Sequence, residues 1–508
     1  MPVSQVGQLN TTALAVPDLY IQIVPPQNQL INGVPTNVLG IVGTATWGPV
    51  NSPTTVGNIN QYAAIFGPVQ NRKYDLGTPV AIAGMQGANN FKIVRVTDGT
   101  DTAASVAIGT TGVTVTSKYT GTFGNGLVTT LSAGSQANSW RVVVSAPGIV
   151  PETFDNVGAG LTANALWVAI AAAINNGTST QRGPSKLIVA TAGASTSTPT
   201  AGSSTLSGGT DGATTLTASV LLGQDTVPRK GMYALRNTGA SVAMLSDLDD
   251  STSWATQVAF GLSEGIYMIG TGPSGDSISN AVTTKGTAGI DSYDFKLLFG
   301  DWVYWLDTYN NILRLCSPQA FSAGWLANAA PNQSTLNKPF QGVVGTQKSF
   351  ANQLYSSADL QQLAGAGIDL IANPIPRGKV FGARFGRNSS SNATIRGDNY
   401  PRMTNYIAYT LDAGMGIFVG ELQTQKDSTI RLDAKATLDH FLQGLIDQKL
   451  IDDFSVICDE TNNSPSRIAL GYMQADVKVR YQSVIEYFLI NLEGGQSVQI
   501  ARQSTQAA

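Results

Sequence analysis

Two glycine patterns and one histidine mark the places where this sequence could do chemistry. Gly270, Gly272 and Gly275 spell G-x-G-x-x-G between a strand-like and a helix-like run, the arrangement in which bare backbone approaches a pyrophosphate at a helix N-terminus. Pro273 lies inside that loop and Asp276 follows it directly. A carboxylate there occupies the helix N-terminus and repels phosphate, so a plain turn of an α/β unit is the better reading. Gly261, Ser263 and Gly265 spell G-x-S-x-G, whose serine must stand on a strand-to-helix elbow; here a helix precedes it and a strand follows. The only histidine, His440, is expected to pack into a helix beside Phe441. With two cysteines besides, Cys316 and Cys458, the chain has too few ligands for a zinc site or a histidine relay. Both cysteines stand in apolar runs (ILRLC, FSVIC) and read as buried thiols. Asp249 with Asp250, and Asp452 with Asp453, read as solvated turns, and the aromatics of DWVYWLDTY (Trp302, Tyr304, Trp305) as core or interface. No catalytic, cofactor-binding or metal-binding residue is expected, and the chain is read as a non-enzyme.

The elements that would position such residues belong to a large chain. Its 508 residues correspond to about three or four domains. Charged residues are 12% of the sequence against 42% hydrophobic and 54 glycines, about half the usual charged share. Such a surface is suited to being covered. The net charge is -3 with no basic tail, so nucleic acid is not expected as a direct partner. The N-terminus lacks the pattern of a secretory signal, and the longest helical apolar run, Ala165 to Ile174, is half a membrane span. A soluble protein folded in a reducing cytoplasm, without membrane insertion, is the expectation.

Along the chain, residues 1–24 read as an extended arm: Leu19, Ile21 and Ile23 alternate with Tyr20 and Gln22 before Pro25-Pro26 stops any strand. Residues 25–100 read as a small α/β layer, with strands in VLGIVGTA and FKIVRV and a helix from Ile59 to Phe66. Residues 101–222 turn to Ser, Thr, Gly, Ala and Val, a β-rich insertion with one helix (Ala163 to Asn175) and a flexible loop, TAGASTSTPTAGSSTLSGGTDG. Residues 223–344 alternate strand and helix, which indicates βαβ units and a parallel sheet. Residues 345–493 carry a helix near Asn405 to Ala413, a long amphipathic helix and two strands, 453–460 and 474–493. In the long helix Leu438, Phe441, Leu442 and Leu445 share one face, and Lys435, Asp439, Gln443 and Asp447 form a row on the other. Residues 494–508, with Val498 and Ile500, read as a second arm.

Arms that cannot satisfy their own backbone groups do so on a neighbour's sheet edge. If donor and acceptor surfaces differ, the contact propagates as a helix or ring. The inter-subunit strands are expected at Leu19, Tyr20, Ile21, Ile23, Val498 and Ile500.

The segments VLGIVGTATWGPVNSPTTVGNINQYAAIFGP, FKIVRV, SKYTGTFGNGL, LSGGTDG, DLQQLAGAGIDLI and DFSVICDETNNSPSRIALGYMQADVKVRYQSVIEYFLINLE resemble, as a set and in order, the contractile tail sheath proteins of bacteriophages, whose relatives include R-type bacteriocin and type VI secretion sheaths. The N-terminal VPDLYIQI departs from a common P-G-V-Y form of the arm. The resemblance implies a multidomain α/β protein: a discontinuous inner domain, about 25–100 with 345–490, facing a tail tube, with β-rich and α/β outer domains inserted and arms at both ends. It implies a helical homo-oligomer in a virion tail, assembled in the host cytoplasm, that contracts without nucleotide or cofactor. Tail tube, baseplate and tail terminator proteins would be its partners. The row Lys435, Asp439, Gln443 and Asp447 is a candidate tube contact or, equally, an ordinary solvated face. The rivals are a Rossmann-like cytoplasmic oxidoreductase, favoured by the Gly270 fingerprint, and a static tail tube or capsid protein.

Overall fold

The computed structural model describes residues 33–178, 182–213, 215–424 and 428–492, together with residue 31 and the strands Val3–Val6 and Tyr20–Ile23. At the N-terminus β1 (Val3–Val6) runs parallel to β2 (Tyr20–Ile23), with Val3 opposite Tyr20 and Val6 opposite Ile23. The sequence suggested a single extended arm; the polar opening residues instead contribute a strand, because pairing satisfies their backbone groups.

The body is a six-stranded sheet in the order β15-β14-β13-β3-β5-β4. Its first part holds β3 (Leu39–Gly43), β4 (Thr54–Val56), α1 (Ile59–Phe66), α2 (Gly77–Met85) and β5 (Phe91–Arg95). Then comes the β-rich insertion: β6 (Ser105–Ile108), β7 (Val113–Ser117), β8 (Val128–Ala133), β9 (Trp140–Ala146), β10 (Ile149–Val157), α3 (Ala163–Asn176), β11 (Ile188–Ala192) and β12 (Gly202–Thr205). These form sheets β10-β9-β8-β12 and β11-β7-β6 around a core with Trp167 of α3 at its centre. β12 falls in the Ser/Thr/Gly segment expected to be a flexible loop. It pairs with β8, and the Thr130 and Ser203 hydroxyls bond across the pair at 2.8 Å. Hydroxyl-rich chain thus completes a sheet edge despite its low-complexity look.

The body resumes with α4 (Ala218–Leu222), β13 (Val242–Leu245), α5 (Trp254–Glu264), β14 (Tyr267–Thr271), α6 (Ile278–Thr287) and β15 (Phe295–Leu298). Every residue of β3, β13, β14 and β15 is buried. That is the mark of parallel strands covered on both faces. Leu39, Ile41, Val242 and Ile269 meet α1, α2 and α7 on one side; Val42, Leu245, Met268 and Leu297 meet α5, α6 and α9 on the other. Residues 39–95 therefore share a sheet with 242–298. The sequence patterns did not give this pairing, because buried parallel strands look alike and nothing local names their partners.

Next come a small antiparallel sheet of β16 (Val303–Asp307), β17 (Ile312–Cys316) and β18 (Val343–Thr346) and three helices, the first of them between its second and third strands in the chain. They are α7 (Gln319–Asn328), α8 (Gln347–Phe350) and α9 (Ser357–Gly365), followed by the short pair β19 (Ile371–Ala372) and β20 (Gly382–Ala383). A Cβ on Gly324 would lie 2.5 Å from the Ala83 Cα, so glycine is what lets α7 seat on α2. The last unit holds α10 (Asn399–Met415), α11 (Thr429–Asp447), β21 (Ile451–Ile457), α12 (Pro465–Ala469) and β22 (Asp476–Tyr481). Its core gathers Met403, Ile407, Leu438, Phe441, Leu442, Leu445 and Ile451, with Ile31 packed against it. The second strand ends at Tyr481, well short of the expected 493. Among the described residues no helix is long and apolar enough to cross a membrane.

Candidate assembly interface

The last unit exposes what the body buries. β21 and β22 form a two-stranded antiparallel sheet, an arrangement marginal by itself, and neither outer edge pairs with another strand among the described residues. One face of the sheet packs on α11 through the 3.6-residue stripe read from the sequence. Beyond Tyr481 the chain leaves the ladder, and Ile485, Tyr487, Phe488, Leu489, Ile490 and Leu492 are 73–91% exposed. Burying one such side chain contributes about 1.5–3 kcal/mol. Six of them leave a driving force comparable to the roughly 4–15 kcal/mol that association costs.

Tyr20, Ile21 and Ile23 lie on β2 opposite Val3, Ser4 and Val6; Leu19, Val498 and Ile500 lie outside the described residues. Of the α11 row, Lys435 and Asp439 are half-buried and Gln443 and Asp447 exposed, with Gln443 Nε2 donating to Asp447 Oδ1 at 3.0 Å. His440 is exposed rather than packed: the apolar stripe turns Phe441 inward and its neighbour outward. Cys316 and Cys458 are free, buried thiols.

The Gly270 loop does join β14 to α6, but its groups are bonded within the chain. Trp302 Nε1 donates to Gly272 O (3.1 Å), Gly275 N to Gly300 O (2.8 Å), and the Ser277 hydroxyl caps α6 by accepting from Asn280 N (3.2 Å). The strand order reverses between β3 and β13, the crevice where doubly wound sheets hold ligands. Here it is filled: Thr44 N donates to Tyr74 O (2.7 Å) and Ser246 Oγ to Asp75 O (2.7 Å). Ser263 follows the helix-then-strand order expected, its hydroxyl donating to Phe260 O (3.1 Å).

Two charge clusters escaped the sequence reading. Lys296 Nζ, fully buried on β15, donates to Asp369 Oδ2 (2.6 Å) and to both Asp398 oxygens (3.0 Å each). Tyr267 donates to Asp398 at 2.6 Å, and Arg402 caps Ala329 O and Ala330 O at 2.8 and 2.9 Å. Burial lowers the Lys296 ammonium's pKa, yet the two carboxylates raise it above its ordinary value overall; burial takes Arg402 down to about 10 even though Asp398 and Tyr267 pull it upward. This network fixes the start of α10 to the sheet, and α10 begins six residues earlier than its apolar pattern suggested. A lone Lys in FKLLF and a lone Asp in IDLIA were the available signals. The second cluster holds Glu486: Arg387 and Arg396 donate Nη2 to Glu486 Oε2 at 2.6 and 2.7 Å.

The insertion is tightly rooted in the body. Trp47 enters its core edge-on to Tyr119 (5.4 Å), fully buried Arg95 donates to Gly48 O and Thr120 O, and Arg72 pairs with Asp211 at 2.7 Å.

No family model matches the sequence, and neither does any curated protein. As a fold, the chain is similar to a sheath tail protein from Desulfitobacterium hafniense (TM-score 0.57, 16% identity, 87% of this chain and 93% of that one). It is similar to the sheath tail protein of Listeria innocua (0.58, 13%, 89% and 96%) and to the contracted-state sheath complex of PVC, an extracellular contractile injection system (0.53, 11%, 95% and 98%). The resemblance read from the sequence thus stands at the level of the fold: this chain folds as sheath proteins do, almost end to end.

Proposed function

We propose that this chain is the repeating subunit of a contractile tail sheath, polymerising helically around a tail tube and contracting to drive that tube through a host envelope during DNA ejection. One observation carries this reading: a chain folded as sheath proteins fold carries, after β22, an exposed apolar segment beside a two-stranded sheet whose outer edges are unpaired among the described residues. A segment left out of its own sheets gains backbone partners on a neighbour's edge, and such head-to-tail exchange propagates a helix. Copies of the same chain are then the main partners, with tube, baseplate and tail terminator proteins at the inner surface and the two ends. The particle is a phage tail assembled in the host cytoplasm, the setting read from the sequence resemblance. Work is stored in the assembled lattice as a metastable arrangement, released when subunits repack. A surface with only 12% charged residues repacks with little desolvation cost. Deleting residues 1–22 removes β1 and most of β2 and is expected to leave a soluble, folded monomer that forms no tubes in electron micrographs; normal tubes from the truncated chain would contradict strand exchange by this arm.

A further inference from the structure

The segment after β22 does not hang free from Tyr481. Asn399 Nδ2 donates to Gln482 O (3.2 Å) and Asn332 Nδ2 to Gln482 Oε1 (3.3 Å). Four residues later both guanidinium groups close on one oxygen of Glu486, and Arg387 Nη2 also reaches the Tyr487 hydroxyl at 3.3 Å. The side chains of Arg387, Glu486 and Arg396 are 11%, 22% and 26% exposed, so the contact is sheltered, where charge-assisted bonds are strong.

The two arginines are themselves fixed. Arg387 pairs with Gly397, and Asn388 N donates to Arg396 O at 2.8 Å. Arg387 O accepts from Lys296 Nζ at 3.2 Å, which ties the pair to the buried network under α10. Five of the six exposed apolar side chains, Tyr487, Phe488, Leu489, Ile490 and Leu492, lie directly beyond this point.

We propose that Arg387 and Arg396 form a clamp on Glu486 that sets where, and in which direction, the C-terminal segment leaves the body, and so which neighbouring sheet edge of a second copy it reaches. This rests on the strand-exchange reading above. The physical reason is tether geometry: releasing residues 483–486, with Gln482 still held, adds about 14 Å of slack at roughly 3.4 Å per residue, and a longer, undirected tether lowers the effective concentration of the segment at any one edge. Arg387, Arg396 and Glu486 are positioning residues, contributing orientation rather than burial.

The test uses full-length protein. Glu486→Gln and, separately, Arg396→Gln are expected to leave the unpolymerised fold and its melting temperature unchanged. Chymotryptic cleavage at Tyr487 and Phe488, which the clamp holds near the body, should quicken about tenfold, and the concentration needed for tube formation should rise about tenfold. Glu486→Asp should restore part of the polymerisation, and the double variant should be no worse than the poorer single one, because both remove the same contact. Unchanged cleavage and unchanged tube formation in both Gln variants would overturn the clamp. A parallel variant, Phe488→Asp with Ile490→Asp, keeps the clamp and spoils the segment's apolar surface. If it forms no tubes while the Gln variants behave as wild type, only the clamp fails; if it polymerises normally, strand exchange by this segment fails and the clamp with it.

Discussion

Asp294 sits at the start of β15, 1% exposed, its Oδ1 accepting from Asn405 Nδ2 of α10 at 2.8 Å. Burial pushes this carboxyl up to about 7, and the Asn405 bond offsets only part of that. In the unfolded chain it titrates near 3.9, so between about pH 4 and 7 the folded state holds a proton that the unfolded state lacks. Stability from this group is fully present below about pH 4 and is lost as pH rises through 7. Asp294→Asn keeps the acceptor and removes the charge. Urea unfolding should then be less pH-dependent than wild type from pH 5 to 8, with a gain at pH 8 of up to about 4 kcal/mol at roughly 1.4 kcal/mol per pKa unit; parallel pH profiles would contradict this. At this scale the sequence was legible where a residue's role is local. Asp276 and Pro273 argued for a plain turn at the Gly270 loop, where Ser277 caps α6 and Trp302 bonds Gly272 O. Lys296, Asp369 and Asp398 were illegible because their partners lie 73 and 102 residues from Lys296.

Periodic elements were the readable ones. α1, α3, α11 and the buried strand β3 stand where their apolar patterns put them, and β13 to β15 with α5 and α6 form the strand–helix alternation expected after residue 223. α10 was read short because its first turn is held by Asp398 and Arg402 rather than by an apolar stripe, and β12 was missed because its GSST carries hydroxyls instead of bulk. α11 supports a prediction of its own. Its buried stripe is separate from the polar row, which runs from half-buried Lys435 and Asp439 to exposed Gln443 and Asp447, so changing the row spares the apolar packing. Asp439→Lys with Asp447→Lys should weaken sheath attachment to isolated tubes by about tenfold while self-assembly proceeds; a lysine at position 447, in the last turn, also suits the helix dipole. Unchanged tube binding would remove this face from the inner surface.

Across the whole molecule, connectivity is what the sequence withheld. An insertion longer than a hundred residues separates β5 from β13, yet strands on either side of it close one sheet around β3. Only the three-dimensional pairing shows that. The insertion is rooted in the body by Trp47, Arg95 and Arg72, so the proposed contraction would carry it with the body and leave repacking between subunits to the surfaces and the terminal segments. The most direct measurement is electron microscopy of the purified full-length protein, alone and after concentration or mild warming. The account predicts hollow, striated tubes with a lumen wide enough to enclose another tube. Discrete particles under every condition, including in the presence of tail tubes and baseplates, would contradict it.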